Sequence, residues 1–142
     1  TPFWLAGEEL LRSKGGNGNS YDASDEVNNL DWDALTAESM VMAMRDFYRD
    51  LIAMRKANAF LKDADVTCEV NESDGSITVT YTQDDETVAI ARINPTGVDA
   101  SFVLPEGEWG VLMNGKAVSA EPMDTVSGEV IVPQMSVYLV RK

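Results

Sequence analysis

The sequence predicts a mainly β protein: an antiparallel β-sandwich preceded by a loop and one long α-helix. Three observations predict it. Apolar residues step by three or four between about 37 and 57. From about Asp63 onward the apolar period becomes two. The short alternating runs that follow are separated by turn residues, with no helical stretch between them. Strands spaced in this way pair with their neighbours and close a core against a second sheet.

At the front, the apolar run Phe3, Trp4, Leu5 and Ala6 follows Pro2 and is broken by Gly7. Proline is tolerated at the first residue of a strand, so a short strand is expected here. After Leu10 and Leu11 comes SKGGNGNSYDASDEVNN, whose Gly, Asn, Ser and Asp residues suit turns. A loop of this length inside a domain is either functional or disordered. The helix is expected at 37–57, with Thr36 as its cap and Glu38 in the first turn. Met40, Met44, Phe47, Leu51 and Arg55, with Val41, Tyr48 and Ile52 alongside, form its apolar stripe. Arg55 and Lys56 suit its carbonyl-rich end. The strand runs are VTCEV, SITVTYT, TVAIARIN, ASFVL, EWGVLM, EVIV and SVYLVR. Asn114-Gly115 signals a two-residue hairpin.

The chain has 142 residues, 24 acidic and 11 basic side chains and no histidine, for a formal charge of -13. Nucleic acids and anionic membrane surfaces are bound largely through clustered Lys and Arg, so neither is an expected partner. Without histidine the commonest general base and metal ligand near neutral pH is missing. One cysteine, Cys68, allows no intrachain disulfide and no cysteine-based zinc site. No apolar run is long enough to span a bilayer, and TPFWLAGEEL lacks the basic start of a signal peptide. No cofactor and no metal are expected.

Carboxylates are the most numerous candidates for chemistry. A glycosidase needs two of them flanking the scissile bond, and Asp22, Asp25, Glu26, Asp31 and Asp33 share the front loop. In a chain this acidic, most such groups are solvated or cap turns. Gly15-Gly16-Asn17-Gly18 lacks the spacing and the Lys-Ser/Thr ending of a phosphate loop. Asn71-Glu72-Ser73 fits a glycosylation sequon and, better, a hairpin turn. Asp84-Asp85-Glu86 reads as a solvated turn before it reads as a calcium ligand. Cys68 is expected in the core. Trp4, Trp32 and Trp109 are core or interface anchors first and sugar-stacking platforms second. A strand, a long loop and a lone amphipathic helix ahead of a sandwich read most economically as the tail of a larger α/β domain.

The motifs of the front third add a resemblance. Pro2, Gly7 and Glu9 keep the spacing of G-x-P-x-x-x-x-G-x-E, a pattern of the α-amylase superfamily whose leading Gly would precede Thr1. Leu10-Leu11-Arg12-Ser13-Lys14, Asn19-Ser20-Tyr21 and Asp25-Glu26-Val27-Asn28-Asn29-Leu30-Asp31-Trp32 resemble the segment after the eighth barrel strand of type I pullulanases. These are α-1,6-glucan debranching glycoside hydrolases. FYRDLIAMRKANAF resembles the family's last barrel helix, with Asp50 in place of the usual Gly and no Pro before Ala59-Phe60. IARINPTG, EWGVLMNG and VIVPQMSVYLVRK resemble its C-terminal sandwich.

The resemblance implies two domains: residues 1–60 as the end of a (β/α)8 catalytic barrel, with last strand, long loop and last helix, and residues 61–142 as the sandwich. It implies a retaining parent whose Asp nucleophile, Glu acid/base and second Asp all lie upstream, so this chain holds no catalytic residue and is expected to be inactive alone. Asn19, Tyr21, Asp25 and Asn28 are the expected glucan-contacting or loop-shaping residues, with Arg12 and Glu9 pairing structurally. The expected partners are α-glucans (pullulan, glycogen, limit dextrins), through the parent, and the upstream barrel. The stripe around Phe47, Leu51 and Ile52, if uncovered, predicts self-association, packing of the helix on the sandwich or a disordered front loop. A free-standing, non-catalytic glucan-binding or structural sandwich is the alternative. Localisation is left open between a bacterial secreted or cell-surface parent and a cytoplasmic one.

Overall fold

A computed structural model of the chain describes residues 2–36 and 39–142. It contains three α-helices, α1 (Asp25–Asn28), α2 (Met40–Ala57) and α3 (Phe60–Asp63). Eight strands follow: β1 (Asp65–Val70), β2 (Ile77–Gln83), β3 (Glu86–Asn94), β4 (Ala100–Val103), β5 (Trp109–Asn114), β6 (Thr125–Val126), β7 (Glu129–Val132) and β8 (Ser136–Arg141). All seven expected runs are strands, and β6, only two residues long, is the one the alternation did not show. The chain divides into two compact units, 1–49 and 50–142, and the boundary falls inside α2.

Every strand pairing is antiparallel. Six strands form one sheet in the order β1-β2-β3-β8-β5-β6, and β4 and β7 form a second. Period-two alternation sorts the central strands onto two faces. Ile90, Trp109, Val111 and Val140 turn toward Leu104 and Val130 beside the small sheet, which makes the sandwich core. Ala89, Ala91, Leu112 and Leu139 turn the other way and pack with Met54 and Phe60. Both faces of β3, β5 and β8 are therefore covered. This explains why their sequences read as nearly unbroken apolar runs. Trp109 is fully buried, and its indole N–H donates to the Pro105 carbonyl at 3.0 Å.

The helix entry differs from expectation. The Ser39 hydroxyl accepts the Met42 N–H at 3.0 Å and so occupies the capping position three residues before it. Thr36 instead offers its carbonyl to Ser39, and Glu38 lies outside the described residues. At the other end, where the family-like Pro is absent, Asn58 closes the helix. Its amide donates to the Met54 and Ala120 carbonyls, and its Oδ1 accepts from Arg141 at 2.6 Å. Leu51 and Met54 then pack on the sheet beside Phe60, whose ring meets Tyr81 edge-on at 5.3 Å.

Cys68 corrects a second expectation. It lies exposed on β1, an edge strand that extends beyond the cover of α3, not in the core. The pattern of β1 alternates correctly, but alternation cannot tell a covered strand from an uncovered one. Residues 2–6, expected as a strand, belong to none. A barrel strand draws its ladder from parallel neighbours, and the described residues supply no such neighbour.

The turns are built as their residues suggest, with one shift. Gln83 pairs with Glu86, leaving Asp84 and Asp85 as a two-residue loop with φ of 49° and 63°. That is a type I′ geometry. Asn71 Oδ1 accepts from the N–H and hydroxyl of Ser73 in the β1–β2 turn. The Met113–Val118 bridge and the Asn114-to-Ala117 bond make Gly115 and Lys116 the two loop residues, not Asn114 and Gly115. Asn114 frames the turn by accepting both the Lys116 and Ala117 N–H groups. Asn94 is buried and binds the carbonyls of Val98, Val132 and Pro133, tying β3 to the end of β7.

Three outcomes follow. Asn94→Ala leaves buried carbonyls without their donor and costs roughly 2–3 kcal/mol in urea unfolding. Replacing Asp84-Asp85 by Asn-Gly relieves two left-handed aspartates and stabilises by about 0.5–1 kcal/mol, read as a higher Tm. The Ser76 hydroxyl, the Ser76 N–H that the carboxylate accepts and the nearby Arg92 hold the Asp74 carboxyl below its ordinary value of 3.8. Its stabilising contribution is complete above that unfolded value and disappears as pH falls through the lower folded one. Asp74→Asn therefore flattens the acid limb of the pH–stability curve.

Candidate functional site

The loop of the first unit is organised around Asn28. Chain reversal begins at Gly7, whose φ is 97° and whose N–H donates to Glu9 Oε2 at 3.0 Å. A Cβ there would lie 2.7 Å from Leu30 Cδ2 and 2.9 Å from Arg12 Nε, so glycine serves both the turn and a close approach. Leu11 also takes a left-handed conformation, φ 56°, which is unusual for a bulky residue. Lys14, Gly15 and Gly16 continue with φ of 52°, 61° and 79°. The glycine-rich stretch thus supplies backbone shape and gives no sign of a phosphate cradle.

These reversals bring two cations onto one asparagine's surroundings. Arg12 Nη1 donates to the Asn28 carbonyl at 2.9 Å. Lys14 Nζ donates to Ser20 Oγ at 2.8 Å, and that hydroxyl donates to Asn28 Oδ1 at 2.9 Å. Asn28 Nδ2 in turn donates to the carbonyls of Ser20 at 2.7 Å and Ala23 at 3.1 Å. Ser20 is buried beneath this network. Arg12 and Glu9 do not pair with each other as expected; each instead serves a backbone group of the loop.

The expected site residues fall into two groups. Asn28 has its side-chain groups committed to Ser20 and Ala23 within the loop. Asn19 and Asp25 are exposed, and Tyr21 is 84% exposed with its ring toward solvent. Asn19 is held by its N–H, which donates to Asn17 Oδ1, and Asp25 opens the short helix α1.

Beside this network is a cleft of about 720 Å³, lined among others by Leu10, Arg12, Lys14, Glu26, Leu30, Trp32 and Asp33. None of Asn19, Tyr21, Asp25 and Asn28 lines it. Among its lining residues, Glu26 belongs to the loop carboxylates and Trp32 is a sugar-stacking platform in second place, whereas nothing in the sequence singles out Lys14 as a contact. Trp32 is 64% exposed, whereas Trp109 is wholly core. Trp4 is half-exposed and meets Tyr48 edge-on at 5.4 Å. Among the described residues no group of three or more Cys, Asp or Glu side chains is placed to hold a metal ion.

An antiparallel β-domain thus follows a polar, aromatic loop whose motifs resemble those of type I pullulanases. The comparisons with known proteins agree. The chain is 42% identical over 57 residues to the pullulanase of Bacillus subtilis strain 168, a match covering 40% of this chain and 8% of that protein. The pullulanase of Bacillus acidopullulyticus superposes over 99% of this chain and 18% of its own, with a TM-score of 0.81 and 26% identity. The type I pullulanase of B. subtilis, complexed with maltose, gives 0.79 at 22% identity, covering 99% of this chain and 21% of its own. That of Anoxybacillus sp. LM18-11, complexed with maltotetraose, gives 0.76 at 17%, with the same two coverages. No family model matches. The chain is pullulanase-like, and its β-domain has the fold of the pullulanase C-terminal β-domain. It spans about a fifth or less of the length of these relatives.

The loop network makes one outcome specific. Gly7→Ala forces a clash with Leu30 at a left-handed backbone position, and Asn28→Ala strips three side-chain hydrogen bonds from the loop. Both are expected to raise the rate of limited proteolysis within residues 7–34 at least several-fold, with the β-domain's urea midpoint unchanged.

Proposed function

We propose that this chain is the C-terminal part of a pullulanase-type debranching enzyme that hydrolyses α-1,6-glucosidic branches of pullulan, glycogen or limit dextrins by a retaining mechanism. The observation that carries this reading is a fold shared with pullulanases over 99% of the chain, joined to a loop rich in pullulanase motifs. In this reading residues 1–60 end the catalytic barrel and residues 61–142 form the sandwich that buttresses it. That division differs from the packing division at 49/50 because Leu51, Met54 and Phe60 pack into the core of the β-domain.

The loop after the last barrel strand lies on the face where barrel active sites are built. There Asn19, Tyr21 and Asp25 face the glucan, with Tyr21 stacking on a pyranose ring, and Asn28 holds the loop that presents them. The catalytic Asp, Glu and Asp belong to the preceding barrel, so the 142-residue chain alone performs no hydrolysis.

Two measurements test this. The isolated chain, assayed on pullulan by reducing-end release, is expected to show no turnover; measurable hydrolysis overturns the assignment of catalysis to the barrel. An immunoblot of the source organism is expected to show a band several times larger than 15.5 kDa. A band at the chain's own mass favours the free-standing glucan-binding or structural module. In the longer enzyme, Tyr21→Ala is expected to raise KM for pullulan about fivefold with kcat nearly unchanged, the signature of lost uniform binding.

A further inference from the structure

Strand β1 is one edge of the six-stranded sheet, and all six of its residues are exposed. The ladder to β2 runs without a bulge from Asp65–Thr82 to Val70–Ile77, and the Asn71 N–H continues it by donating to the Ser76 carbonyl. Backbone groups alternate in direction along an antiparallel strand. Those of Asp65, Thr67 and Glu69 therefore point to β2, and those of Val66, Cys68 and Val70 point outward. The same three residues place their side chains on one face, with Val66 and Val70 more than half exposed. Edges are protected by charged side chains, Lys above all, by Pro or by a bulge; β1 carries no Lys, Pro or bulge, and its charges, Asp65 and Glu69, alternate onto the face opposite Val66, Cys68 and Val70.

We propose that β1 is a self-pairing edge, joining antiparallel to β1 of a second copy in a two-fold register centred on Cys68. Val66 then lies opposite Val70 of the second copy and Cys68 opposite its counterpart. All three outward-facing residues enter hydrogen-bonded pairs. Two independent features select this register. Centring on Thr67 or Glu69 would pair only two of the three outward-facing residues with each other, Val66 with Cys68 or Cys68 with Val70. Those centres would also set Asp65 against Glu69, or Glu69 against itself, whereas the Cys68 centre sets Glu69 against Thr67 and Asp65 against Asn71. One strand pair buries little area, so the association is weak. Each copy carries -13, so salt strengthens it.

The test uses the whole 142-residue chain. In sedimentation at about 0.3 M NaCl, the mean mass is expected to rise from 15.5 kDa toward twice that value between roughly 10 µM and 1 mM, the range of a weak, transient interface. Cys68→Lys, which sets two cations face to face at the centre, is expected to weaken the association about tenfold. The register is read with two exposed-site variants, Val66→Cys/Cys68→Ser and Val70→Cys/Cys68→Ser. Hydrogen-bonded antiparallel pairs hold their Cα atoms about 5.5 Å apart, within disulfide reach. Diamide takes one hydrogen from each thiol and is reduced to the hydrazine as the disulfide forms. The mixture is expected to cross-link at least about fivefold more than either variant alone, because only the mixed pair is in register. A constant 15.5 kDa mass for the unmodified chain, or equal cross-linking of mixed and single variants, overturns the proposal.

Discussion

The β-domain depends on one buried amide. Asn58 stops α2 by donating to Met54, reaches the Ala120 carbonyl, and receives the Arg141 guanidinium on its Oδ1. Arg141 extends the chain of contacts to Glu121 at 2.8 Å. Three segments distant in sequence thus meet at one side chain that is 2% exposed. A buried amide with every group paired specifies a geometry in a way that apolar contacts do not, because any displacement leaves a polar group unsatisfied. Its consequence is positional. The last turns of α2 and the short helix α3 are held over β2, β3, β5 and β8, so that Met54 and Phe60 complete the core on that face of the sheet.

The second constraint is the double burial of the central strands. β3, β8 and β5 direct alternate residues to the helical side and to the small β4–β7 sheet. The same alternation leaves β1 outside both covers, which makes Cys68 an exposed residue on an apolar strand. The turns then hold the strands at their ends through short polar side chains. Asn94, Asn71 and Asn114 each accept backbone N–H groups of the turn they open, so strand register is set locally while sheet order is set by the core.

The front loop follows different physics. Among the described residues Leu10 is buried in it but neither hydrophobic cluster reaches it, and its shape rests on backbone reversals and on the polar network around Asn28. Leu11 and Lys14 take left-handed conformations that glycine adopts without strain. Such conformations persist where surrounding bonds over-determine them, here through Arg12, Ser20 and Asn28. The result is a loop with a buried polar underside and an exposed rim of Tyr21, Trp32 and carboxylates.

Local pattern was sufficient for the elements. The helix of Met40–Ala57, the seven longer strands and a turn at Asp84-Asp85 were all legible, because their signals, periodicity and turn chemistry, act over a few residues. The motifs of the front loop likewise carry the pullulanase likeness in the sequence itself. What tertiary structure decided was cover and partnership. Ser39 rather than Thr36 caps α2, because the chain path sets which hydroxyl meets the Met42 N–H. Among the described residues, β1 is an edge strand exposed along its whole length, which leaves Cys68 exposed, and residues 2–6 pair with no strand. Arg12 and Glu9 serve backbone groups and not each other, since the left-handed turns aim them apart. In each case the sequence carried the chemical capacity of a residue, while burial and bonding partners came from segments too far along the chain for any local pattern to encode.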